Sequence, residues 1–160
     1  MASIEISDQI RTQINSHGES AYPEEGAGFL LGVDGEKRQV KAILPLSNSR
    51  EDGARNNRYL ITPQDYLHGE QEAAEMGLDL IGVFHSHPDH PDQPSEFDRQ
   101  WALPWFSYII TRIQGGRAAG SRSWRLSEDR SRFDEEQISI TPSNVLEYEI
   151  HRKDAKKNKQ

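Results

Sequence analysis

The run Leu78-Asp79-Leu80-Ile81-Gly82-Val83-Phe84-His85-Ser86-His87-Pro88 governs how the rest of the chain is read. An apolar-rich stretch of this length, ending in polar residues, reads as a buried strand. Side chains on a strand alternate between faces, so His85 and His87 present two imidazoles to one point in space. Pro88 cannot continue a hydrogen-bonded ladder, and a proline-rich loop follows, Asp89-His90-Pro91-Asp92-Gln93-Pro94. Ser95 then opens a short predicted helix, and Asp98 falls one turn on, over the same face. Two neutral nitrogens and one carboxylate leave a fourth tetrahedral position for water, the ligand count of a catalytic zinc site. A plainer reading stands beside it. Ser-x-x-Asp is also a helix-capping pattern, and His-x-His can be two half-exposed side chains at a strand end. Asp89, His90 and Asp92 compete as third ligand, and spacing does not choose among them.

Upstream, Ile6, Ile10 and Ile14 recur every four residues, with Ser7 or Asp8 as a cap, which predicts an amphipathic helix over 7–19. Pro23 ends it. Residues 25–31 and 39–44 read as two strands paired antiparallel across a turn at Gly32-Val33-Asp34-Gly35. Residues 47–58 have no periodicity and form a long polar loop, the kind of segment that often carries function. Tyr59-Leu60-Ile61 reads as a short strand. Thr62 as N-cap, Pro63 at the first helical position and Asp65 at the third predict a helix that runs to Met76 and stops at Gly77.

Downstream, a helix over 96–103 is broken before Pro104, residues 106–112 are strong strand formers, and Gln114-Gly115-Gly116 turns the chain. Residues 123–126 and 132–140 complete the strands. Helices fall between strands, so the class is α/β with a mixed sheet. The three tryptophans, Trp101, Trp105 and Trp124, are assigned to the core, although Trp101 and Trp105 follow the metal helix closely enough for one to line a substrate groove.

Composition bounds the function. The chain of 160 residues predicts one domain over 1–140, followed by a mobile tail over 141–160. That tail ends in a segment, 151–160, with five Lys or Arg against one Asp. A net charge of −7 argues against a nucleic-acid partner, which needs a basic footprint. No apolar run approaches a membrane span and the N-terminus carries no secretory pattern, so a cytoplasmic location is expected. With no cysteine, any metal is held by His, Asp or Glu. A zinc nucleoside deaminase is excluded, because its signature requires cysteine ligands.

His85-Ser86-His87-Pro88, the intervening residues to 94, then Ser95 and Asp98 resemble the JAMM (MPN+) zinc metallopeptidase motif, and the whole spacing matches. That family also carries a glutamate near the N-terminus in a Glu-x-x-Gly context before an apolar run. Glu25-Gly26-Ala27-Gly28-Phe29-Leu30-Leu31-Gly32 fits it. Alternation alone does not separate Glu24 from Glu25; the family context selects Glu25. The resemblance covers roughly residues 5–135 and is nearest to the small prokaryotic single-domain type, with one departure. Such members often have cysteine after the glutamate, where this chain has Gly26 and Ala27.

What the resemblance implies is a JAMM fold, a curved mixed β-sheet flanked by helices. It further implies zinc on His85, His87 and Asp98, Glu25 as general base, and Ser95 stabilising the oxyanion. The implied reaction is hydrolysis after the C-terminal glycine of a ubiquitin-like or sulfur-carrier protein (ThiS- or MoaD-like). Such a tail can add as a strand to a sheet edge, with residues 47–58 as the contact. The alternatives are a non-catalytic MPN scaffold, against which the complete ligand set counts, and a RadC-like role near DNA, against which the acidic composition counts.

Overall fold

Ser3-Ile4-Glu5-Ile6-Ser7 alternates polar and apolar, and in the computed structural model, which describes residues 2–47 and 59–143, it is a strand with Ile4 and Ile6 buried. This strand, β1 (Ser3–Ser7), was hidden in the sequence because Ile6 also fits the helical repeat of Ile10 and Ile14. Helix α1 (Asp8–Ala21) begins where Ser7 accepts the Ile10 N–H at 3.1 Å. The strands β2 (Ala27–Val33) and β3 (Lys37–Leu46) follow as an antiparallel pair. After α2 (Pro63–Glu75) come β4 (Asp79–Pro88) and the short α3 (Glu96–Trp101). Then β5 (Ser107–Gln114), β6 (Arg117–Leu126) and β7 (Phe133–Thr141) complete the order.

The strands lie in the order β1-β3-β2-β4-β5-β6-β7 and close, because β1 pairs in parallel with β7. The sheet is mixed: β4 with β5 and β1 with β3 are also parallel, and the remaining pairs are antiparallel. β2 is buried on both faces, so it reads as a nearly continuous apolar run. Leu30 joins one cluster with Ile10 and Ile14 of α1, together with Ile4, Phe84 and Ile109. Phe29 and Leu31 join the other with Val83, Tyr108, Ala73 of α2 and Ala102 at the end of α3. At the end of the barrel remote from the histidines, Arg38 is buried with its guanidinium satisfied. It donates to Asp34, to the carbonyls of Ile81 and Trp105 and to the Ser107 hydroxyl.

Helix α2 keeps its sequence signals. The Thr62 hydroxyl accepts the Asp65 N–H at 3.1 Å and the Asp65 carboxylate accepts the Thr62 N–H at 2.9 Å. Thr62→Ala is therefore expected to lower stability by about 1 kcal/mol, read as a shift of the urea midpoint at constant slope. Tyr59-Leu60-Ile61 is not a strand: it pairs with no ladder among the described residues. Tyr59 instead turns inward and is buried. The strand expected from Glu25 onward, β2, begins at Ala27. Trp101 and Trp105 are not core residues, being 58% and 64% exposed. Trp124 is half-buried and donates its indole N–H to the Asp92 carbonyl at 3.0 Å. Residues 48–58 of the expected functional loop, and 144–160 of the expected tail, lie outside the described residues.

Candidate metal centre

Two inward-facing imidazoles close the C-terminal end of β4. His85 and His87 are 1% and 6% exposed, with ring centroids 5.0 Å apart. β2 runs antiparallel to β4 with Ala27 opposite His85, so the residues just before β2 pass beside the histidines. That places Glu25, also buried, with Oε1 3.9 Å from His87 Nε2. One ligand-capable atom from each of Glu25, His85 and His87 lies within 4.8 Å of the other two. Asp98 arrives from the other side on α3. Its Oδ2 accepts the Ser95 N–H at 2.8 Å and lies 3.3 Å from His87 Nε2, while Oδ1 lies 3.7 Å from His85 Nε2.

The capping reading of Ser95-x-x-Asp98 holds, and it is compatible with the ligand reading. Ser95 Oγ accepts the Asp98 N–H at 3.1 Å, and this reciprocal pair is what turns the Asp98 carboxylate toward the histidines. Ser95 itself is exposed. Because its oxygen is the acceptor in the cap, its hydroxyl proton remains to be donated elsewhere. The competing ligands are placed elsewhere. Asp89 accepts the Tyr22 O–H at 2.6 Å and the Gly115 N–H at 2.8 Å, and His90 is exposed. The Asp92 carboxylate lies toward Gly120 of β6, its Oδ2 3.7 Å from where a Cβ there would stand.

Electrostatics favour a cation at this point. His87 Nδ1 lies 2.7 Å from the Pro91 carbonyl and donates to it, which turns Nε2 toward the carboxylates. Burial pushes the His85 pKa down to about 4, with the Asp98 charge opposing and His87 adding, so the ring is neutral at pH 7. Neither His85 nitrogen has a hydrogen-bond partner among the described residues. Burial acts to raise the Asp98 pKa, but His85, the His87 contact and the Ser95 N–H outweigh it and hold the carboxyl well below the usual range. A buried, ionised carboxylate 3.3 Å from an imidazole nitrogen calls for a proton or a cation between them. Two nitrogens and a carboxylate oxygen are a donor set that suits zinc.

Two residues of this neighbourhood were not singled out in the sequence. Tyr59 lays its ring on His85, with centroids 4.4 Å apart and planes tilted by 31°. Ser86, between the histidines, faces the opposite way and hydrogen-bonds Gly26 through both its backbone and its side chain. Alternation would have given the direction of Ser86; its partner, remote in sequence, had no local signal.

The family model for prokaryotic homologs of the JAB domain matches residues 7–127. The chain belongs to this family. The JAMM/MPN+ resemblance and its curved mixed sheet flanked by helices are thereby upheld, with closure into a barrel as the added feature. The JAB chain is similar to a probable TtuB-protein conjugate cleaving protease of Thermus thermophilus, 32% identical over 60% of this chain and 61% of that protein. It thus spans under two thirds of that relative's length. A desampylase of Haloferax volcanii is 29% identical over 72% of this chain and 85% of that protein. A JAB1/MPN domain protein of Archaeoglobus fulgidus shares the fold, with a TM-score of 0.55 at 18% identity over 86% of this chain and 98% of that one.

Proposed function

We propose that this chain is a zinc-dependent isopeptidase or peptidase that hydrolyses the bond after the C-terminal glycine of a ubiquitin-like or sulfur-carrier (ThiS- or MoaD-like) protein. The observation that carries the reading is the convergence of four buried groups, Glu25, His85, His87 and Asp98, from three separate segments. The names of the Thermus and Haloferax relatives, a probable conjugate-cleaving protease and a desampylase, support the substrate class.

His85, His87 and Asp98 would hold the ion, and zinc so bound supplies the Lewis acidity that brings the pKa of water from about 15.7 toward 7. Glu25, beside His87, takes a proton on its carboxylate and returns it to the leaving amine. The Ser95 hydroxyl donates to the carbonyl oxygen as charge develops there, a contribution of about 2 to 4 kcal/mol for one donor. Aromatic rings continue from the centre to the surface. Tyr59 meets His85, Phe97 lies 6.4 Å from Tyr59, and the exposed Trp101 lies 6.1 Å from Phe97. The glycine-ended tail runs along this strip, where the absence of a side chain lets its backbone approach the histidines.

The test is cleavage of a carrier protein whose terminal Gly-Gly is joined to a lysine side chain or to cysteine. About one zinc per chain is expected, with cleavage that stops on chelation and returns with zinc. Protein that binds no zinc, with no chelator-sensitive cleavage, favours the scaffold instead.

A further inference from the structure

Ser86 lies between the two histidines but on the other side of the sheet, 2% exposed, in a small pocket with Gly18 and His17 of α1, Gly26 and Thr111. It holds Gly26 at two points. The Ser86 N–H donates to the Gly26 carbonyl at 2.9 Å, and the Gly26 N–H donates to Ser86 Oγ at 2.8 Å. Gly26 precedes β2, so its buried N–H sits outside that strand's register with β4, and the hydroxyl is its acceptor. Gly26 is also the residue joined to Glu25.

The third side of Gly26 is closed by α1. A Cβ at position 26 would come within 2.9 Å of Ala21 Cβ, closer than real contacts allow, and 3.0 Å from His17 Cδ2, tighter than most. His17 lines the same pocket, its ring edge-on to Phe84 with centroids 5.5 Å apart. The departure from the family pattern at this position therefore has a local cause: the space that a side chain at residue 26 would need is filled from α1.

We infer that Ser86 is the positioning residue for Glu25, fixing the glutamate's backbone through the clasp on Gly26 so that its carboxylate stays beside His87. This rests on the proposed hydrolase reading. The strand carrying the metal ligands thereby also sets the place of the base, and a shift of either segment is shared by both. Ser86 touches neither substrate nor metal, because its side chain faces away from both histidines.

Two measurements test it. In amide hydrogen exchange, the wild-type Gly26 N–H is expected to exchange as slowly as those of Ala27 and Phe29. In Ser86→Ala it is expected to speed by more than ~10-fold relative to them, as a buried donor that has lost its acceptor opens more readily. In turnover of the carrier–lysine substrate, Ser86→Ala should keep its zinc and its KM within about twofold. Its kcat should fall by ~10- to 100-fold, the size of effect expected of a misplaced catalytic group. Ser86→Thr, which keeps the acceptor, should recover most of that kcat. Fast Gly26 exchange in the wild type overturns the clasp even if Ser86→Ala does not fold. Wild-type kcat in a folded Ser86→Ala overturns the positioning role. A wild type that cleaves no carrier substrate, with Gly26 exchange as expected, sinks the hydrolase reading and with it the positioning role, and leaves the clasp standing.

Discussion

Glu25→Gln is expected to retain about one zinc per chain and to lose turnover by ~10³-fold, within the range attributed to a general base. The substitution keeps the shape of a side chain that is 5% exposed, so the packing around Gly26 is preserved. What it removes is the ability to take up a proton near neutral pH, because an amide is neither a base in that range nor an anion. The substrate still meets the same surfaces, so KM should hold while kcat collapses; an interaction made only in the transition state has that signature. Single-turnover cleavage of the carrier–lysine substrate, with metal analysis on the same sample, reads both quantities. Full turnover would remove Glu25 as the base. Loss of zinc along with turnover would instead make Glu25 a ligand, a role that its position within 4.8 Å of both histidine nitrogens permits geometrically.

What could be read in the sequence was what local chemistry specifies. The β4–α3 segment carries its own alternation, a proline stop and a reciprocal cap, each decided within a few residues, and both elements form where those signals lie. β1 failed the same procedure because five alternating residues cannot outweigh a helical repeat that borrows Ile6. Closure of the sheet depends on Ser3–Ser7 pairing with Gln137–Thr141, a contact between the two ends of the described chain with no local trace. The tryptophans went wrong for another reason. Tryptophan's burial on average says nothing of a particular ring: Trp101 is the last residue of α3 and stays 58% exposed, while Asp98 on the same short helix is buried. Tyr59 shows the converse: despite strand-forming composition it pairs with no strand among the described residues, and its ring lies on His85.

Asp98→Ala is expected to abolish both zinc binding and turnover, and comparison with Asp98→Asn separates the two roles of this carboxylate. Outer-shell partners of metal ligands already change affinity by about 10- to 100-fold, so removal of a direct ligand should weaken zinc by more than ~100-fold. Asparagine retains an oxygen that can accept the Ser95 N–H, now accepted at 2.8 Å by Asp98 Oδ2, and so preserves that half of the cap. It has no charge to offer a cation. Asp98→Asn should therefore lose zinc like the alanine variant, yet in metal-free protein it should be the more stable of the two by about 1 kcal/mol, the value of a helix cap. Metal titration and urea denaturation in chelator read the two effects independently. If Asp98→Asn binds zinc within tenfold of the wild type, Asp98 is a cap and not a ligand. The third position would then pass to Glu25, the remaining carboxylate in the described cluster with His85 and His87.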